Sequence, residues 1–414
     1  MNARRRWITG CACAAVAGLA VVIGLVLSAG QPGPGISGTA TARPDTAWDA
    51  LFQGYGNLSG AWSGGDGAQS LLLPDGSTVW FFADTFLGAT NPGGTRSPST
   101  TGLAHNSAVV YRDGHLGPTY AGPAGPGGYN GDTDYTWVAP PPPYPASRYE
   151  LINGDQVIDG GAVYKFYQLA DRELHPGGFP YKLVGTVLES FTLGSADVLT
   201  PAGGTPIGIE DAAGSDPVIW GAAVLVSGGY IYIYGVKPYN GGAAPYPLYL
   251  ARVPVGGLAA GDPWQYYGGT PGCPPPSSAW TSDPRSAAVL RTGVSAGFSV
   301  TDVNGTYVLL TNDNSTVRTT SNAIAYYASC PTGFSSGSPR YRVFEPLLPR
   351  GYLTYEYRIV PQFSNGSNVL VCYSTNATRP SVNYANVTIY RPHFLDVKLP
   401  GIGGPSGPVT DPGP

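Results

Sequence analysis

Three aspartates, Asp66, Asp84 and Asp155, are the residues around which chemistry can be built. Asp66 lies between Gly65 and Gly67 at the mouth of a strand-like run, where permissive backbone lets a short carboxylate point inward. Asp84 closes the run Trp80-Phe81-Phe82-Ala83, so its carboxylate stands in apolar surroundings that raise a pKa unless the group is paired or hydrogen-bonded. Asp155, in Asn153-Gly154-Asp155-Gln156, opens a second strand-rich unit at the place Asp66 holds in the first. Convergent carboxyls suit glycoside hydrolysis, in which one donates a proton and another acts as base or nucleophile, their separation deciding inversion or retention. Each of the three can equally be a turn or strand-end aspartate, and the sequence does not say which would be acid and which base.

Around this catalytic set stand candidates for substrate contact: His105, Asn106, Trp220 and Asp216. His105 beside Asn106 could hydrogen-bond a sugar or orient a carboxylate, although a lone histidine is more often structural. Trp220 and Trp137 offer the apolar faces on which sugars stack, with core packing as the competing reading. Asp216, in Ser215-Asp216-Pro217, opens a third unit, while Glu150 and Glu210 precede units two and three as solvated loop residues or acids. No Gly-x-Ser-x-Gly elbow, His-Glu-x-x-His pair, Walker loop or dinucleotide fingerprint stands out, so no cofactor and no metal are expected.

Positioning such a set requires a scaffold, and the chain reads as all-β. Gly 60 and Pro 41 accompany 42% hydrophobic and only 12% charged residues, a composition for short strands and tight turns rather than helices or disorder. Five units of one strand pattern follow each other. The first runs through Gly67–Leu73, Thr78–Asp84, Ser107–Tyr111 and a stretch near Tyr120; the second through Gln156–Ile158, Ala162–Tyr167, Gly185–Thr192 and Ala196–Leu199. Val218–Val226, Tyr230–Gly235, Leu248–Arg252 and Trp264–Tyr267 make the third. The fourth pairs Gly297–Thr301 with Thr306–Leu310 across Asn304-Gly305, then adds Ala323–Ala328 and Tyr341–Phe344. Tyr357–Phe363, Asn368–Ser374, Val387–Tyr390 and Phe394–Val397 make the fifth. Repetition of this kind predicts a five-bladed β-propeller over residues 41–400, with a β-sandwich or β-helix as the rival.

Residues 1–40 read as a signal peptide or single-pass membrane anchor with a linker: Arg4, Arg5 and Arg6 precede an uncharged stretch from Ile8 to Gly30. A secreted or cell-surface monomer is expected, with residues 401–414 a disordered Gly/Pro-rich tail. Cys273 and Cys330, both in loop-like sequence, are expected to be bridged and Cys372, in an apolar strand, to be free and buried. A formal charge of -4 offers no basic field for a phosphate backbone, which argues against nucleic acid as a partner. A polysaccharide or oligosaccharide is the partner that suits the carboxylates and aromatics.

Trp80-Phe81-Phe82-Ala83-Asp84-Thr85-Phe86-Leu87-Gly88 resembles the W-x-F-G-D-T-F-x-G string of an actinobacterial propeller family that includes endo-D-arabinanases. Gly65-Asp66-Gly67, Asn106-Ser107, Trp220-Gly221-Ala222-Ala223, Tyr232-Ile233-Tyr234-Gly235 and Tyr390-Arg391-Pro392 extend the resemblance from about Asp66 to Pro400. It implies a five-bladed fold similar to that of family 43 glycoside hydrolases, and activity on arabinan or another furanose-rich wall polysaccharide. Ala83 in place of Gly, Arg358-Ile359-Val360-Pro361-Gln362 in place of a His-Pro-Glu-like string, and the insertion Pro140–Pro145 depart from the pattern. A non-catalytic propeller that binds glycan or protein at the cell surface is therefore the alternative function.

Overall fold

The computed structural model describes residues 35–413 except 123, 126–133, 176–179, 195–197, 210–215, 239–244 and 316–320. The signal or anchor expected at the N-terminus lies largely outside the described residues, as does Glu210. Among the described residues, no helix is long and apolar enough to cross a membrane.

The protein is all-β, built from antiparallel sheets laid down in chain order. The first sheet joins Gln69–Leu72, Thr78–Phe82, Ser107–Arg112 and His115–Tyr120, and the second Tyr149–Asp159, Ala162–Asp171, Lys182–Leu193 and Leu199–Ile207. Ile219–Ser227, Tyr230–Val236 and Tyr246–Pro254 form the third, edged by Gln265–Tyr267. The fourth has Phe298–Val303, Thr306–Asn312, Ala323–Ala328 and Arg340–Phe344, and the fifth Tyr352–Asn365, Asn368–Ala377 and Pro392–Lys398. The leading strand of each sheet contacts that of the next, and the fifth contacts the first, so these contacts close on themselves. A smaller sheet of Trp62–Gly65, Thr85–Leu87 and Gly102–Ala104 continues the first sheet's inner hairpin beyond Asp66 and Asp84.

Alternation explains the fully buried run Thr78–Phe82. Val79 and Phe81 face the second sheet, packing with Val163, Tyr167 and Leu169, while Trp80 and Phe82 face Trp48, Phe52 and Phe394. Both faces are covered, so the strand is apolar at every step except its end. Trp48 and Phe52 belong to a helix, Thr46–Leu58, that the sequence reading does not include. Asp45 caps it by accepting from the backbone N–H groups of Ala47 and Trp48 at 3.1 Å each.

Three departures from expectation stand out, two of them owed to partners far away in sequence. Val387–Tyr390 is not a strand; the fifth sheet's outer strand is Thr41–Pro44, antiparallel to Pro392–Lys398, while Ile36–Thr39 joins the fourth sheet in parallel. The fourth strand of the second sheet begins at Leu199 rather than ending there. Residues 401–413 are not a disordered tail: Ile402 and Val409 are buried, Trp48 Nε1 donates to the Thr410 carbonyl at 3.0 Å, and Asn368 Nδ2 to that of Gly407 at 2.6 Å. Cys273 and Cys330 are disulfide-bonded, and Cys372 is free and buried.

Candidate active site

The inner hairpin of the first sheet is interrupted once, at Asp66-Gly67-Ala68 opposite Ala83-Asp84. Asp66 N donates to the Asp84 carbonyl at 3.2 Å and Ala83 N to the Asp66 carbonyl at 2.9 Å, so the two aspartates are cross-strand neighbours. The same device recurs in other leading strands. Pairing slips between Asn153 and Gln156 in the second sheet, between Trp220 and Ala223 in the third and between Tyr355 and Arg358 in the fifth. Such bulges re-aim a side chain out of the pleat. In the fifth sheet the re-aimed residue is Glu356, at φ +54, a left-handed conformation that a non-glycine residue adopts only where its surroundings enforce it.

Glu356 is the functional candidate that sequence reasoning misses. Its carboxyl reaches the first sheet so closely that a Cβ on Gly67 would lie 2.8 Å from Oε2, and it packs on Gly297 of the fourth. Asp66 is 1% exposed; its Oδ2 accepts from the Tyr355 hydroxyl at 2.7 Å. Neither Asp66 Oδ1 nor Glu356 Oε2 has a hydrogen-bond partner. Burial, then the carboxylate of Asp84, then that of Glu356 push the Asp66 carboxyl well above the usual range, against the hydrogen bonds of Tyr355 and Tyr390. Burial also raises Glu356, opposed by Arg358 and Lys165. One signal for Glu356 was available: a lone glutamate inside the aromatic strand Tyr355-Glu356-Tyr357.

Asp84 joins a second, more accessible group. His105 Nδ1 lies 3.2 Å from Asp84 Oδ1 and 3.4 Å from Glu150 Oε2, while Arg172 Nη1 donates to His105 Nε2 at 3.0 Å. Below, two buried guanidiniums clamp the strand leading to Asp66: Arg96 Nη2 and Arg391 Nε donate to the Ser63 carbonyl at 2.6 and 2.9 Å.

Asp155 keeps different company. Its Oδ1 accepts from Gln156 N at 3.0 Å and its Oδ2 from Val224 N at 2.8 Å, and Arg358 Nη1 stands 3.9 Å from Oδ2. Arg358, from the fifth sheet, also donates to the Ala222 carbonyl of the third at 3.2 Å, reaching across the ring of leading strands. Lys165 completes this inner polar layer, fully buried, with its ammonium on Gln69 Oε1 at 2.6 Å, Gln156 Oε1 at 2.9 Å and the Gly154 carbonyl. Burial pushes that ammonium well below the usual lysine range.

The structure thus brings together Asp66, Asp84 and His105, and sets the other expected residues elsewhere. Asn106 uses its side-chain amide on Val138, donating to the carbonyl and accepting from the N–H at 2.9 Å each. Trp220 is a core residue, 3% exposed, against Trp264 and Tyr266. Asp216 pairs with Lys182 at 3.6 Å. Trp137 lines a separate cavity of about 490 Å³ with Tyr120, on which it stacks. Among the described residues no cluster of His, Cys, Asp and Glu is arranged to hold a metal ion.

Residues 49–399 match the family described as "Domain of unknown function (DUF5005)". The chain belongs to this family. No curated protein matches the sequence. Among solved structures, this DUF5005 protein is similar to a protein of Bacteroides ovatus ATCC 8483 provisionally called a hydrolase, with TM-score 0.64 and 20% identity over 88% of this chain and 92% of that one. More distant are the GH43_1 enzyme of Xanthomonas citri complexed with xylotriose (TM-score 0.44, 11% identity, 88% and 97% covered) and an alpha-L-arabinanase of Cellvibrio cellulosa (0.42, 11%, 83% and 95%). The likeness to the Bacteroides protein extends over nearly the whole domain and establishes a shared fold.

Proposed function

We propose that this DUF5005 protein is an exported glycoside hydrolase, a five-bladed β-propeller that cleaves a furanose-rich or other cell-wall polysaccharide through Asp66 and Asp84. The observation that carries the reading is the cross-strand placement of these two aspartates at one interruption of a hairpin, with Glu356 brought near Asp66 from the opposite end of the domain. Burial and neighbouring carboxylates favour the protonated form of Asp66, the state that a proton donor to the glycosidic oxygen needs. Asp155 enters this reading through Arg358, which it holds at the centre of the ring.

The closed succession of leading-strand contacts supports five blades around an axis. The name given to the Bacteroides protein agrees with hydrolysis, and the resemblance around Trp80–Gly88 points to arabinan among the candidate glycans. A disulfide fits an oxidising compartment outside the cytoplasm. Turnover on D-arabinan and arabinoxylan, with Asp66→Asn and Asp84→Asn as controls, tests the proposal. Product release that both variants abolish is expected. A wild type inert on every glycan, yet retaining glycan affinity, would make the protein a binding propeller instead.

A further inference from the structure

The two aspartates of the hairpin receive different hydrogen bonds, and the difference assigns their roles. A guanidinium offers N–H donors and no acceptor, so the contact of Arg172 to His105 Nε2 at 3.0 Å has one possible direction: guanidinium N–H to ring nitrogen lone pair. A neutral imidazole that accepts at Nε2 carries its hydrogen at Nδ1. That hydrogen faces Asp84 Oδ1 at 3.2 Å, with Glu150 Oε2 a second acceptor at 3.4 Å. Arg172 is held in turn: Nη2 donates to the Ala146 carbonyl, and Nη1 lies 3.6 Å from Glu150 Oε2. Asp84, His105, Glu150 and Arg172 all keep their side chains at most 16% exposed.

Asp66 receives tyrosine hydroxyls instead, from Tyr355 and Tyr390. Tyr355 serves Oδ2, while Oδ1 is buried and unpartnered beside Gly67 and Glu356. A proton on Asp66 would remove the uncompensated charge from that position.

We propose that His105, locked by Arg172 in its Nδ1–H tautomer, is the positioning residue of Asp84, which makes Asp84 the base or nucleophile and leaves proton donation to Asp66. The inference rests on the hydrolase reading for its kinetic consequence and on the tautomer for its structural one. It balances as ordinary glycoside hydrolysis: the proton leaves Asp66 for the departing sugar oxygen, and Asp84 supplies the electron pair directly or by deprotonating water.

Two measurements test it on the full chain. Nitrogen-15 NMR of the histidine rings, with His105 assigned by its absence from His105→Asn, is expected to show a neutral Nδ1–H ring at pH 7. In Arg172→Met the ring is expected to become protonated or to change tautomer. A wild-type His105 that is doubly protonated or carries its hydrogen at Nε2 overturns the lock. Kinetics on D-arabinan use the fact that an asparagine amide nitrogen mimics Nδ1 and a glutamine amide nitrogen mimics Nε2. His105→Asn should stay within a few-fold of wild type. His105→Gln and His105→Ala should lose kcat by about 100-fold with KM little changed, the size of effect expected from a misplaced reacting group. Equal loss in all three variants, or none, overturns the positioning role. If the wild type cleaves no glycan, the hydrolase reading falls and the NMR result alone decides the lock.

Discussion

Replacing Asp66 with Asn should abolish turnover and at the same time stabilise the protein. The side chain is 1% exposed, one of its oxygens has no partner, and Asp84 and Glu356 repel its charge. Leaving a buried acceptor unsatisfied costs about 1–3 kcal/mol, and more when it is charged. Asparagine keeps the oxygen that accepts from Tyr355 and places a donor where the orphan Oδ1 stands, beside the unpartnered Oε2 of Glu356. A gain of about 1–3 kcal/mol at pH 7 follows, which for a domain of this size raises Tm by roughly 2–6 °C. The pH dependence has a fixed sign. The folded-state pKa of Asp66 is raised, so its protonated form contributes stability fully below the unfolded value and loses it as pH rises through the folded value. The advantage of Asp66→Asn should accordingly be largest at neutral pH and disappear in acid, below about pH 4. Turnover should fall on the order of 100- to 10,000-fold. Thermal melting of both proteins at neutral and acidic pH, beside assays on D-arabinan, reads all of this. A variant that melts below wild type at pH 7, or that keeps its turnover, refutes the reasoning.

Gly297→Ala would put a Cβ 2.5 Å from Glu356 Cγ, so displacement of that carboxyl should lower kcat while the far-ultraviolet spectrum stays that of the wild type. Lys165→Met leaves Gln69, Gln156 and Gly154 without their shared donor and Asp155 with Arg358 as its one remaining cation among the described residues, and should cost about 3–5 kcal/mol, read as a lowered denaturant midpoint. Truncation after Pro400 removes the acceptor of the Trp48 indole and exposes the apolar cluster it caps, so a lowered Tm is expected where loss of a disordered tail would change nothing. Cys372 should resist alkylation until the protein unfolds, because burial pushes its thiol up to about 12.

The strands joined by tight hairpin turns were legible because their pattern is local. Asp113-Gly114, Gly160-Gly161, Gly228-Gly229 and Asn304-Gly305 all adopt the positive φ that two-residue hairpin turns demand, and each sits between the runs the sequence marks as strands. Elements whose partners come from the other end of the chain were not legible: Thr41–Pro44 carries no strand signal of its own, and Arg43 meets Asp396 only in the folded protein. The helix Thr46–Leu58 left a readable mark, an Asp cap followed by Trp48 and Phe52 four apart, that a strand-seeking reading passes over.

The same division runs through the site. Asp66 and Asp84 are visible in sequence because one hairpin carries both, whereas Glu356 comes near Asp66 only through a bulge, and a bulge has no sequence period to betray it. Asp155 shows that local equivalence does not fix surroundings. It occupies in the second sheet the position Asp66 holds in the first, with pairing broken at the same level, yet two backbone donors and Arg358 surround it where Asp66 has tyrosines and carboxylates. Arg358 makes that difference. It stands where the resemblance leads one to expect a His-Pro-Glu-like string, and its guanidinium ties the fifth sheet to the second and third. Changing Arg358 to Met would leave Asp155 buried beside Lys165 alone. The expected outcome is a loss of stability close to that of Lys165→Met, with the double variant losing more than the sum of the two, because the cations repel each other and each single variant is relieved of that repulsion. Denaturant unfolding of the two single variants and the double variant measures that coupling. Strict additivity would show that the inner polar layer is not one electrostatic unit.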